Sequence, residues 1–145
     1  METRETIFSY LNNHKTAVVA TLSATYDKQP TAATIVPKFR EDFSCIFSTS
    51  ILSRKYLNLK TNSKVAIVVG FEHDDPFTMQ YEGIASGIEE DHQRYFKLVQ
   101  ELEDFRPELG KYLHLPQTAM VVVKPVWVRF SKTDVYPAQT TELIF

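Results

Sequence analysis

Ile46-Phe47-Ser48-Thr49-Ser50-Ile51-Leu52-Ser53-Arg54-Lys55 is the stretch on which the reading of this chain turns. The residues just before the hydroxyls, 43–47, are mostly apolar and strand-like. Hydroxyls then follow at 48, 49, 50 and 53, and residues 53–60 read as a short helix with Ser53 as its N-cap. Arg54 and Lys55 fall in its first turn. There the unpaired N–H groups and the macrodipole already create positive potential, so a cation is disfavoured by about 0.3–1 kcal/mol and an anion reverses the sign. Backbone N–H groups, hydroxyls and two cations together make the kind of donor-rich pocket that holds a phosphate. Taken alone, the segment is also open to a plainer account, a solvent-exposed turn with two basic residues.

Working outward, residues 3–14 carry a helical apolar stripe through Ile7 and Leu11, which reads as a lid helix. From Ala17 the period becomes that of a strand, and a turn at 26–30 leads to a second strand at 31–39. A tight turn at 40–42 gives a hairpin with the third strand, 43–49. The unbroken apolar run Val65-Ala66-Ile67-Val68-Val69 predicts a strand at 63–71 covered on both faces. A strand at 77–89 follows, with Gly83 and Gly87 as bulge or close-approach points. A helix begins near Asp91, with Tyr95, Leu98, Val99 and Leu102 on one face, and ends before Arg106-Pro107. The last long strand is 118–132, with Pro125 at a bulge or edge, and 140–145 adds a short edge strand. The pattern is one domain, 1–145, mainly β in the α+β class: a six-stranded antiparallel split β-barrel with flanking helices.

Composition narrows the function. The 145 residues carry a formal charge of −2 and are 43% hydrophobic, without the basic excess of a nucleic-acid binder. No apolar segment approaches the roughly 20 residues needed to cross a bilayer. The single cysteine, Cys45, sits in an apolar run and reads as a small buried hydrophobe in a reducing compartment. The expectation is a cytoplasmic protein with no membrane or nucleic-acid partner. His14, His73, His92 and His114 lack metal-ligand spacing, and Glu72-His73-Asp74-Asp75 reads as a solvated loop, so no metal site is expected. Glu89-Glu90-Asp91 reads as a helix start complementing the dipole. Lys38 shares a strand face with Thr34 and could reach the ligand of the 48–55 turn, although a lone surface lysine explains it equally. Trp127 and Arg129, two apart on a strand, face the same way, as on an exposed strand face with a half-buried indole.

These residues resemble the pyridoxamine 5'-phosphate oxidase-like, FMN-binding split-barrel family. The likeness runs over roughly residues 5–130: Ala20-Thr21-Leu22-Ser23, Pro30-Thr31-Ala32-Ala33, Phe47-Ser48-Thr49 before Ser53-Arg54-Lys55, Asn58-Leu59, Asn62-Ser63-Lys64-Val65-Ala66 and Glu82-Gly83-Ile84-Ala85. The resemblance implies a homodimer with FMN in the groove between subunits. Arg54 and Lys55, helped by Thr49 and Ser53, would hold the phosphate, with Ser48 at the same end. Thr34, Ile35 and Val36 would run beside the isoalloxazine, with Lys38 near its pyrimidine side. Thr78 would stand where the family often has a glutamine touching the flavin, and Trp127 would approach from the partner. Ala33 replaces an arginine of the true pyridoxamine phosphate oxidases, and no paired arginine and histidine follow Trp127, so the substrate-phosphate ligands of those enzymes are not met. The implied function is a flavin-dependent oxidoreductase acting on a small molecule, with catalytic residues unidentified. The alternative is a split-barrel protein that holds flavin, deazaflavin or haem as sensor or carrier without turnover.

Overall fold

The computed structural model describes residues 2–70 and 75–145. The expected polar loop 72–75 therefore lies outside the described residues except for Asp75. Helix α1 (Arg4–Asn12) is capped by Thr3, whose side chain accepts from the Thr6 N–H, and it buries Ile7 and Leu11. The strands are β1 (Ala17–Leu22), β2 (Pro30–Ile35), β3 (Lys38–Phe39), β4 (Cys45–Ser50), β5 (Lys64–Gly70), β6 (Phe77–Ile88), β7 (Thr118–Lys132) and β8 (Gln139–Ile144). Between them lie α2 (Arg54–Thr61), α3 (Tyr95–Phe105), a single 3-10 turn at Pro107–Leu109, and α4 (Gly110–Leu113).

All pairings are antiparallel in the order β2-β1-β5-β6-β7-β4-β3, with β8 beside β4 on the same edge of β7. This is an antiparallel split barrel, as expected, but with eight strands rather than six. One of the two additional strands is the short edge strand at the C-terminal end, β8, and the other arises at 31–39, where the expected continuous strand breaks at Val36-Pro37. Proline offers no N–H to a ladder and biases its predecessor away from regular pairing. β2 pairs with β1 and β3 with β4, so two residues carry the chain from one edge of the sheet to the other.

The interior is filled by Val19, Ile35, Phe39, Phe47, Ile67, Met79, Tyr81, Val121, Val123 and Phe130. A second cluster, Ile46, Met120 and Val122 under Leu98, Val99 and Leu102 of α3, covers the outside of β4 and β7. The strand buried on both faces is therefore the first half of β7, where residues 119–123 are all buried. In contrast to the expectation for 63–71, β5 alternates between buried and exposed residues, and among the described residues no helix covers its outer face. The bulge falls where Gly83 and Pro125 placed it: the β6–β7 register shifts between Glu82 and Gly83. A Cβ on Gly83 would lie 2.6 Å from the Lys124 carbonyl oxygen. Helix α3 begins at Tyr95, later than expected, with no side-chain cap. The acidic run does not cap it. Glu89 instead accepts hydrogen bonds from Tyr56 Oη at 2.8 Å and Lys60 Nζ at 3.3 Å, tying α2 to the end of β6.

α3 is fastened to β3 by charge. Arg40 donates Nη2 to Glu101 Oε1 at 2.7 Å and Nε to Oε2 at 2.9 Å, and Lys38 Nζ donates to the same Oε2 at 3.0 Å. The bond from Arg40, aided by Lys38 and opposed by desolvation, takes the Glu101 carboxyl from its ordinary 4.5 down to about 2. A depressed carboxylate stabilises the fold fully above its unfolded pKa and loses that contribution as pH falls through its folded one. Stability measured by urea unfolding should thus decline between about pH 4.5 and 2 in part through this group. Glu101→Gln should flatten that segment of the profile and cost about 1–2 kcal/mol at pH 7. An unchanged acid limb would assign it to other carboxylates.

Candidate functional site

The hydroxyl-rich turn folds as its residues suggest. Ser53 is the N-cap of α2, and its Oγ accepts from the Tyr56 N–H at 3.2 Å and lies 2.9 Å from Thr49 Oγ1. What holds the helix in place is Asn58, buried at the barrel wall. Its Nδ2 donates to Thr21 Oγ1 and Thr31 Oγ1, each at 3.0 Å, and its Oδ1 accepts from the Ala24 N–H at 2.8 Å. Every one of those groups sits on the β1–β2 hairpin, so the amide locks the helix against that hairpin with all its polar atoms in use.

A groove of about 520 Å³ opens above α2. Thr34, Ile35, Val36, Ser48, Thr49, Ser53 and Lys55 line it, seven of the eleven expected cofactor contacts brought to one place. A second hollow of about 310 Å³ runs around the same helix end and includes Arg54 with Ser53 and Lys55. The two share Ser53 and Lys55 and flank the N-terminus of α2. Among the described residues neither Arg54 nor Lys55 has a carboxylate within 4 Å, in contrast to Lys38 and Arg40. Burial lowers the pKa of Lys55 from its ordinary value. A half-buried ammonium with no counter-charge at a helix N-terminus is an arrangement that a bound anion stabilises.

Three expected contacts lie elsewhere. The Lys38 ammonium points to Glu101, away from the groove. Thr78 Oγ1 donates to the Val69 carbonyl at 3.2 Å within the β5–β6 ladder. Trp127 stands on the outer sheet face, where its Nε1 donates to Glu142 Oε2 at 3.4 Å and the Arg129 guanidinium lies 5.3 Å from the indole ring. Trp127 borders a hollow with Val18, Ala66 and Val68. This face is unusually apolar: Val18, Val68, Ile84 and Val126 remain 38%, 41%, 40% and 45% exposed.

The opposite wall of the groove was not anticipated. Leu109, Tyr112, Leu115 and Pro116, from the connection between α3 and β7, complete it. Leu109 and Leu113 are buried, and the i, i+4 spacing of these two leucines, with Tyr112 left off their face, was the available signal. Cys45 is fully buried, and burial pushes its thiol pKa up, so it is inert. His14 contacts Asp75 Oδ2 and the Tyr10 carbonyl, His92 accepts from the Arg94 N–H, and His114 pairs with Glu103. Among the described residues no group of three or more His, Cys, Asp or Glu could hold a metal ion. Nor is any helix among them long and apolar enough to cross a membrane.

The sequence model of the pyridoxamine 5'-phosphate oxidase family matches residues 3–132. The chain belongs to this family. No curated protein matches it in sequence, but many solved structures share its fold. It is similar to a pyridoxamine 5'-phosphate oxidase-related, FMN binding protein from Nostoc punctiforme, at 15% identity and a TM-score of 0.72, over 98% of this chain and 95% of that one. HutZ, the haem storage protein of Vibrio cholerae, is 16% identical with a TM-score of 0.72, over 99% and 95% of the two chains. General Stress Protein 26 of Bacillus anthracis is 18% identical with a TM-score of 0.74, over 99% and 100%. At such identities the likeness establishes the fold of this pyridoxamine 5'-phosphate oxidase family member and leaves its ligand to be argued from the site.

The Asn58 lock generates a direct test. Asn58→Ala leaves the Ala24 N–H and the Thr21 and Thr31 hydroxyls short of a partner. It should lower unfolding free energy by about 1–3 kcal/mol in a urea titration. A loss near zero would mean that water replaces the amide and that the helix is held by Tyr56 and Leu59 alone.

Proposed function

We propose that this protein binds FMN in the groove above α2 and uses it as a flavin-dependent oxidoreductase on a small molecule. The observation that carries the reading is the pair Arg54 and Lys55, without carboxylate partners among the described residues, beside the Thr49 and Ser53 hydroxyls at a helix N-terminus. These groups suit a phosphate monoester: hydroxyls and backbone N–H groups donate, and the cations neutralise. The strand edge at Thr34, Ile35 and Val36 extends the groove away from that end and suits a flat ring lying along the backbone. Bound FMN supplies hydride exchange with a substrate, and the protein contributes position, exclusion of water and electrostatics. The FMN-binding relative supports the flavin, and the haem storage relative keeps a carrier role in view. Among the described residues the groove lining contains no His, Cys or Met, the commonest haem ligands, which favours flavin over haem.

We infer also that two copies associate through the apolar outer face of β1, β5, β6 and β7. Four half-exposed aliphatics with hollows between them are the kind of surface a partner covers. In that assembly Trp127, remote from its own groove, is available to the partner's.

Two measurements follow. Titration with FMN should yield a yellow complex, and Arg54→Ala and Lys55→Ala should each weaken it by about 1.5–3 kcal/mol, the scale of a charge-assisted hydrogen bond. Unchanged affinity in both would put the phosphate elsewhere, and bleaching of the bound flavin by NAD(P)H would favour an enzyme over a carrier. In light scattering after size exclusion, the wild type should run as a dimer and Val68→Glu as a folded monomer. A wild-type monomer with full FMN affinity would sink the dimer.

A further inference from the structure

The groove is lined by two kinds of chemistry from different elements. Thr49, Ser53 and Lys55 supply donors and a cation, while Leu109, Tyr112 and Leu115 supply an apolar wall. Tyr112 and Leu115 are each 54% exposed, yet the turn that carries them is braced from several sides. Leu113 is buried beneath it. Thr118 Oγ1 donates to the Leu115 carbonyl at 2.7 Å. His114 Nε2 lies 2.9 Å from Glu103 Oε1 on α3, and the Lys111 ammonium lies 5.1 Å from the centroid of the Tyr112 ring. A large ring left half in water costs hydrophobic free energy that its own chain does not recover. Because its backbone is already fixed, a second flat ring can pack on it with little further loss of entropy.

We propose that Tyr112 is the stacking wall of the site: its ring face receives the planar heteroaromatic part of a phosphate-bearing ligand, and Leu115 shields the edge of that ring from water. This rests on the flavin reading above and deepens it, because it adds to the strand edge at Thr34, Ile35 and Val36 a stacking partner from outside the barrel strands. Phosphate recognition and ring recognition then reside on separate elements, α2 and the α3–β7 connection, and can be separated by experiment.

The probes are FMN and riboflavin, which share the ring and differ in the phosphate, titrated while flavin emission is followed. A tyrosine in contact with the ring quenches that emission. Wild-type protein should bind both, FMN more tightly, with quenching. Tyr112→Leu, at an exposed position that leaves the melting temperature unchanged, should weaken both ligands by about tenfold and restore emission of the bound flavin. Tyr112→Phe, which keeps the ring, should return affinity and quenching. Lys55→Ala should instead lose the preference for FMN over riboflavin. If Tyr112→Leu binds both flavins as the wild type does, with the same emission, the stacking wall is overturned and the flavin reading stands. If the wild type binds neither flavin, that reading falls and takes the wall with it. Uptake of haem in place of flavin, abolished by Tyr112→Phe, would overturn both by making the hydroxyl an iron ligand.

Discussion

Closure of the sheet at Val36-Pro37 is the constraint from which the rest of the molecule follows. An antiparallel sheet of this length twists until its edges approach, and an open edge is a template for unwanted pairing. Here the chain itself spans the gap, leaving β2 on one edge and entering β3 on the other within two residues. Proline suits that crossing because no ladder partner is lost. Val36 then lies at the seam, packed against the outer cluster and lining the groove. The groove is therefore a by-product of how the barrel closes, lined where the chain leaves β2 and where α2 begins.

Charge is distributed with the same economy. Two basic side chains near the seam, Lys38 and Arg40, are saturated by Glu101 and serve as fasteners between β3 and α3. The other two, Arg54 and Lys55, have no carboxylate partner among the described residues and are set where a helix N-terminus adds to their potential. Substitution at the fasteners is expected to act on stability, and substitution at Arg54 or Lys55 on the proposed FMN affinity. Asn58 separates the two tasks, because it holds α2 in place without drawing on either cation.

Local chemistry was legible in the sequence where a feature is decided by near neighbours. The Ser53 cap, the one-sided face of α3, the bulge at Gly83 with Pro125, and the extent of β7 all follow from spacing within a few residues. What escaped depends on partners far along the chain. Lys38 meets Glu101, 63 positions away. The apolar run in β5 suggested a strand covered on both faces, but periodicity cannot tell a layer within one chain from a face left open on it. Residues 31–39 alternate well enough for one strand, and only the edge-to-edge crossing reveals two. The wall at Tyr112 was hidden for a similar reason: a four-residue helix carries too little periodicity to announce itself.

The braced turn between α3 and β7 has a consequence for how such proteins diversify. It contributes side chains to the groove while adding no strand to the sheet, so its length and composition can drift without disturbing the register of the barrel or the Asn58 lock. The N-terminus of α2, by contrast, is tied through Asn58 to the β1–β2 hairpin and tolerates little change. A protein built on this plan can change what lines one wall of the groove by rewriting exposed residues of a single connection, which makes the fold a natural substrate for functional turnover.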